Sequence, residues 1–116
     1  MDLPDTRQLR YFVALAEQLH FGRAAAALHI SQPPLSRAIQ GLEQQLGARL
    51  FARSRRKVEL TAEGARFYDE AKRLLGQLER AAREVGAMAS GESGRLRPGF
   101  VSLADYAVLP GLVNGF

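Results

Sequence analysis

The sequence predicts a mainly α fold: a winged helix-turn-helix, then a long dimerisation (linker) helix, then a short, incomplete β-α tail. Three observations predict it. Between Phe21 and Leu46 two short helical stretches flank a tight turn, and the second carries Leu35, Ile39, Leu42 and Leu46 at steps of four, three and four. That is one apolar stripe at helical period. Two short apolar runs, Leu50–Ala52 and Val58–Leu60, flank the tip Arg53-Ser54-Arg55-Arg56-Lys57, the pattern of a small β-hairpin. Finally, Phe67, Ala71, Leu74, Leu78, Ala81, Val85 and Met88 recur at alternating steps of four and three, an a/d seam sustained for about three heptads. The chain divides accordingly into a head at 1–60, a long helix at 61–90, and a hinge with the start of a further domain at 91–116.

At 116 residues the chain has room for one domain and a tail. It contains no cysteine, which excludes disulfides, thiolate metal sites and thiol nucleophiles and fits a reducing compartment. The start MDLPDTRQLR lacks an apolar run behind a basic segment, so no secretory signal is expected, and no apolar run approaches the roughly 20 residues of a membrane span. A cytoplasmic protein is expected. The net charge of +4 is unevenly placed. Residues 1–60 hold nine Lys/Arg against five Asp/Glu, and the remainder holds seven of each. The excess therefore sits in the head, as for a surface that meets a polyanion.

In chain order, the first helix begins near Asp5, which has Gln8 at the capping-box spacing. Leu9, Phe12, Val13, Ala16 and Leu19 follow at helical spacing and supply one wall of a core. Gly22 is the expected N-cap of the second helix, whose four successive alanines let a neighbouring helix approach closely. The N–H groups near Gly22 and Arg23 form a phosphate site at that helix start. His20 and His29 are isolated and suit the surface better than a metal. Ser31 caps the next helix, with Pro33 and Pro34 in its first turn, where a missing N–H costs little. Gly47 ends it.

The polar faces of that helix carry Gln32, Pro33, Ser36, Arg37, Gln40 and Gln44, groups able to read base edges and phosphates in a major groove. The hairpin tip, with Arg53, Arg55, Arg56 and Lys57, suits phosphates or a minor groove. Thr61 caps the long helix, and Asp69 with Arg73 and Glu79 with Arg83 stand at favourable i,i+4 spacing. Running to Ser90, that helix would span about 40 Å, more than a small head can cover, so a second copy is the natural partner. Ala89–Gly94 has the composition of a linker. Beyond it, Leu96–Val101 reads as a strand weakened by Pro98, and Ala104–Phe116 as the start of a helix, too little to close a core.

The residues alone leave one rival, a helical hairpin and coiled coil that docks a protein without DNA. No Ser/His/Asp set or paired carboxylates with defensible spacing and no phosphate-cradling glycine loop point to an enzyme, and no cofactor or metal is expected.

Taken together, RQLRYFVALAEQLHFGRAAAALHISQPPLSRAIQGLEQQLGARLF, the pair Arg53 and Arg56, and LTAEG at Leu60–Gly64 resemble the N-terminal part of the LysR-type transcriptional regulators. The resemblance covers nearly the whole chain. The SQPPLSR segment and the tail look closest to regulators of aromatic-compound degradation. The resemblance implies a homodimeric regulator that binds double-stranded DNA at an interrupted inverted repeat. It gives Gln32, Pro33, Ser36 and Arg37 base and phosphate contacts, and Arg53 and Arg56 wing contacts. It makes the long helix an antiparallel dimerisation helix. It further implies that Ser102 contacts a small organic-acid effector, that a longer chain forms tetramers, and that this chain is a fragment ending inside its effector-binding domain. Gly22 stands where many members carry Ser or Thr.

Overall fold

The computed structural model describes residues 3–95. The elements follow the order α1 (Thr6–Gln18), α2 (Phe21–Leu28), α3 (Gln32–Leu46), β1 (Phe51–Arg53), β2 (Val58–Leu60) and α4 (Ala62–Arg95). The strand and helix expected over 96–116, and Ser102 with them, lie outside the described residues.

The boundaries of α1 are set locally. Asp5 Oδ1 accepts the Gln8 N–H at 2.8 Å and Gln8 Oε1 accepts the Asp5 N–H at 3.0 Å, a complete capping box. The helix ends where Leu19 turns left-handed at φ 52°. A β-carbon in that region costs about 1–2 kcal/mol. Leu19 accordingly leaves the apolar face and is 41% exposed, whereas Leu15 is fully buried in its place.

The expected start of α2 is corrected. The N-cap is His20, not Gly22, and its Nδ1 accepts the Arg23 N–H at 3.0 Å. An imidazole nitrogen there does the work of a Ser or Asp oxygen. The α2–α3 turn uses a second left-handed residue, His29 at φ 60°. Ser31 occupies the N-cap of α3 but makes no side-chain cap bond. Pro33 and Pro34 have no N–H, so the first turn holds few orphan donors for it to satisfy. Gly47 closes α3 at φ 67°.

The wing is a two-stranded antiparallel hairpin in register Phe51–Leu60, Ala52–Glu59 and Arg53–Val58. Its first strand lies one residue later than expected. Thr61 caps α4, accepting the Gly64 N–H at 2.9 Å while donating its hydroxyl to Arg49 O at 2.6 Å.

The core joins all of these. Phe12 is fully buried, with ring centroids 5.5 Å from Phe51 and 5.2 Å from Phe67. Leu15, Leu35, Ile39, Leu42 and Leu50 surround it. This compact unit runs through Leu78, and α4 from Glu79 onward belongs to a second unit.

Two features of α4 depart from the sequence expectations. First, the helix does not stop at Ser90 but runs through the Gly/Ser-rich stretch to Arg95. Second, Phe67 and Ala71 turn onto the chain's own head. Ala71 is fully buried in the core cluster, and Phe67, partly buried, packs against it. The head covers the first rungs of the apolar stripe and no more: Leu74 and Leu78 are 53% and 52% exposed. The expected pairs on α4 also differ. Arg73 pairs with Glu70 rather than Asp69, Arg66 joins the same carboxylate at 3.3 Å, and Glu79 and Arg83 form no ion pair among the described residues.

A polar cluster fixes α4 against α1. Tyr68 Oη and Lys72 Nζ both donate to Glu17 Oε2 at 2.8 Å. Those hydrogen bonds, Lys72 first, hold the Glu17 carboxyl below its ordinary range, and the Glu17 bond in turn raises the Lys72 ammonium. No described helix is long and apolar enough to cross a membrane.

Candidate nucleic-acid interface

The buried stripe Leu35, Ile39 and Leu42 locks the rotation of α3. Its opposite side is thereby presented outward: Gln32, Pro33, Arg37 and Gln40 are exposed and Ser36 is half-buried. Gln32 and Pro33 open the helix, and proline pre-sets the backbone there. The row therefore starts from a defined position. Because the two prolines remove N–H donors, this helix start offers few backbone groups to an anion.

The wing stands beside this row. Its tip is closed by the Ser54 N–H bonding to Lys57 O at 2.9 Å. Arg55 and Arg56 are exposed and form no ion pair among the described residues. Lys57 pairs with Glu59 at 3.0 Å, with both side chains more than half exposed, a pairing of small net strength that a phosphate can replace.

Arg53 behaves differently from its neighbours. Its guanidinium lies 3.7 Å from Glu43 Oε1 and 5.2 Å from the centre of the Phe21 ring. Sequence reasoning grouped it with the tip residues. The structure turns it back toward α2 and α3. Glu43, which the sequence did not single out, is the hub. Its Oε2 accepts the N–H groups of Leu50 and Phe51 at 2.8 and 3.2 Å, and only 11% of its side chain is exposed. One carboxylate on α3 thus anchors the first strand of the wing and receives its first arginine. The sequence signal was the one acid of α3, on the edge of an apolar stripe.

Arg23 is exposed on α2, but its N–H is taken by His20, so that helix start is not the open anion site expected. A β-carbon at Gly22 would stand 3.0 Å from His20 Cε1 and 3.5 Å from Gln32 Nε2. The His20 ring fills the space that a Ser or Thr at position 22 would use. Among the described residues no group of three or more His, Asp or Glu comes together as for a metal.

A family described as bacterial regulatory helix-turn-helix protein, lysR family, matches residues 6–65. The uncharacterized HTH-type transcriptional regulator YnfL of Escherichia coli (strain K12) is 55% identical over 102 residues, covering 88% of this chain and 34% of that protein. The HTH-type transcriptional regulator TfdT of Cupriavidus pinatubonensis is 48% identical over 112 residues, covering 97% of this chain and 49% of that protein. The chain therefore spans between a third and a half of these relatives. Among solved structures, the CbnR DNA-binding domain in complex with DNA matches with TM-score 0.70 and 45% identity, covering 73% of this chain and 98% of that one.

Proposed function

The chain belongs to the lysR family of bacterial regulatory helix-turn-helix proteins, and from that premise we propose that it is a sequence-specific DNA-binding transcriptional regulator acting as a homodimer. The observation that carries this reading is the exposed row on α3 beside the unpaired arginines of the wing, in a fold shared with a domain solved on DNA.

Each head lays the first turns of α3 into a major groove, with Gln32, Pro33, Ser36, Arg37 and Gln40 toward base edges and phosphates. Arg55, Arg56 and Lys57 grip the flanking backbone or minor groove. Arg23 adds a phosphate contact through its side chain. Arg53, drawn back to Glu43 and Phe21, supports the wing from behind the tip. The exposed apolar residues Leu74, Leu78, Val85 and Met88, with Ala81 between them, pair two copies through α4. A two-fold dimer reads two half-sites of opposite orientation, so the operator is an interrupted inverted repeat.

In this division 1–60 carry the DNA-reading elements and α4 is the linker helix. The hinge and the start of an effector-binding domain follow within 91–116. Ser102 would there meet a small organic acid, and a longer chain could assemble to tetramers. The protein works in the cytoplasm, at the nucleoid. A protein-docking coiled coil without DNA is the weaker reading, because it gives the wing arginines no role.

Selection from a randomised duplex pool, followed by gel shifts of the selected site across salt, tests the proposal. The expected result is an inverted repeat whose binding Arg37→Ala weakens selectively, by about 1–3 kcal/mol at the bases it reads. Enrichment of no motif, or intact specific binding by Arg37→Ala, would remove α3 from the reading role.

A further inference from the structure

A recess opens between α1 and the start of α3, lined by Arg7, Gln8, Tyr11, Pro34, Arg37 and Ala38. No acidic side chain lines it. Gln8 is already committed, since its carbonyl accepts the Asp5 N–H and its amide donates to Gln45 Oε1 at 2.9 Å. The other donors are unused. Neither Arg7 nor Arg37 enters an ion pair, and the Tyr11 hydroxyl makes no hydrogen bond, among the described residues. The Arg7 guanidinium lies 5.8 Å from the centre of the Tyr11 ring. Stacking of this kind restrains a guanidinium and leaves its edge N–H groups free to donate.

We propose that this recess holds a phosphate of the DNA backbone, so that α1 supplies a sequence-independent grip adjoining the reading row of α3. Two cations lining one recess repel each other unless an anion sits between them. The Arg7 guanidinium edge and the Tyr11 phenol match acceptor oxygens of a phosphodiester, and the Arg37 charge beside them adds to the attraction. A carboxylate from a protein partner could meet the same donors. The phosphate is favoured because Arg37 belongs to both the recess and the α3 row, so DNA seated on that row passes the recess mouth. The inference rests on the DNA-binding reading of α3.

The test measures affinity against salt for the selected operator and for an unrelated duplex, using the whole chain. Arg7→Ala should weaken both duplexes by the same factor, about 3- to 10-fold, and lower the slope of log affinity against log salt by about one. Arg7→Lys should restore the slope, and Arg73→Ala on α4 should change nothing. Circular dichroism shows whether the variants keep their helices. An unchanged slope in Arg7→Ala would overturn the inference while leaving the α3 reading intact. So would a loss confined to the operator, which would indicate a base contact. Absence of duplex binding by the unaltered chain would overturn both.

Discussion

Arg53 and Glu43 face each other at 3.7 Å across the junction between the wing and α3. The pair is asymmetric. Glu43 is nearly buried and also accepts two backbone N–H groups at the start of β1, whereas Arg53 is about a third exposed and rests partly on Phe21. The carboxylate is therefore the fixed element and the arginine the follower. The angle of the wing relative to α3 is set by a residue that need touch no DNA.

Glu43→Gln should make this visible through its sign. Hydrogen bonds to a charged group contribute about 1.5–3 kcal/mol, and the amide replaces them only in part, so a stability loss of about 1–3 kcal/mol in urea unfolding is expected. Removing a negative charge beside a polyanion would by itself strengthen binding. The expectation is the opposite, a weaker specific complex, because the wing loses its anchor. Tighter binding by Glu43→Gln would show that local charge outweighs wing position.

Gly64 sits where the start of α4 passes close to the backbone just ahead of β1. A β-carbon there would come within 2.0 Å of Leu50 O, the same carbonyl that accepts the Thr61 N–H. The obstacle is backbone, so it cannot rotate away, and the start of α4 must shift. Gly64→Ala should cost about 2–3 kcal/mol, the range of an overpacked core site, despite the higher helix propensity of alanine. Thermal unfolding checks this. An equal or higher midpoint would mean that the close approach relaxes freely.

The parts of this fold that were legible are those encoded within a few residues. Asp5 with Gln8, Gly47, Thr61 and the Leu35–Ile39–Leu42 stripe each act over one or two turns, and the structure has them as read. The α3 row followed from the same stripe. What could not be read depends on the chain folding back. Glu43 meets Arg53 only once the hairpin returns to α3, and Phe67 is claimed by the head because Phe12 reaches it. The stretch 89–94 misled for another reason. Glycine and serine lower helix propensity by about 1 kcal/mol or less each without forbidding it, and the next proline, the residue that would stop a helix, is Pro98. His20 was missed as a cap because imidazole is not among the usual capping groups.

The Glu17 cluster should give stability a defined dependence on pH. Its carboxyl is depressed below its ordinary 4.5 by Lys72 and Tyr68, so its contribution is full above about pH 5 and is lost as pH falls through the folded value. Lys72 is raised above its ordinary 10.5, so its contribution is full below that value and is lost as pH rises through the higher folded one. The bridge is thus intact between about pH 5 and pH 10. Measured as the difference between the unaltered chain and Glu17→Gln, the stabilisation should be small and flat across that window, because both groups are largely solvated. It should shrink toward zero in acid. A difference that grows in acid would contradict the assigned direction.

The exposed leucines of α4 provide the remaining prediction. Leu74 and Leu78 lie one turn apart and about half exposed, on the stripe whose earlier members, Phe67 partly buried and Ala71 fully buried, already pack on the head. A stripe that is covered where the head reaches and bare beyond it calls for a second surface, and burying the exposed half of each leucine against one contributes about half of the roughly 1.5–3 kcal/mol that full burial gives. A two-fold dimer buries each of them twice. Leu74→Asp with Leu78→Asp should therefore weaken self-association more than a thousandfold, the equivalent of about 4 kcal/mol. Sedimentation equilibrium measures the loss directly. Circular dichroism should be unchanged for the head, whose core includes neither residue. On DNA the double variant should bind a single half-site as the unaltered chain does and lose the advantage of the full inverted repeat. If the unaltered chain stays monomeric at high concentration, or if the double variant keeps its preference for the full repeat, the pairing of two copies through this face of α4 is wrong.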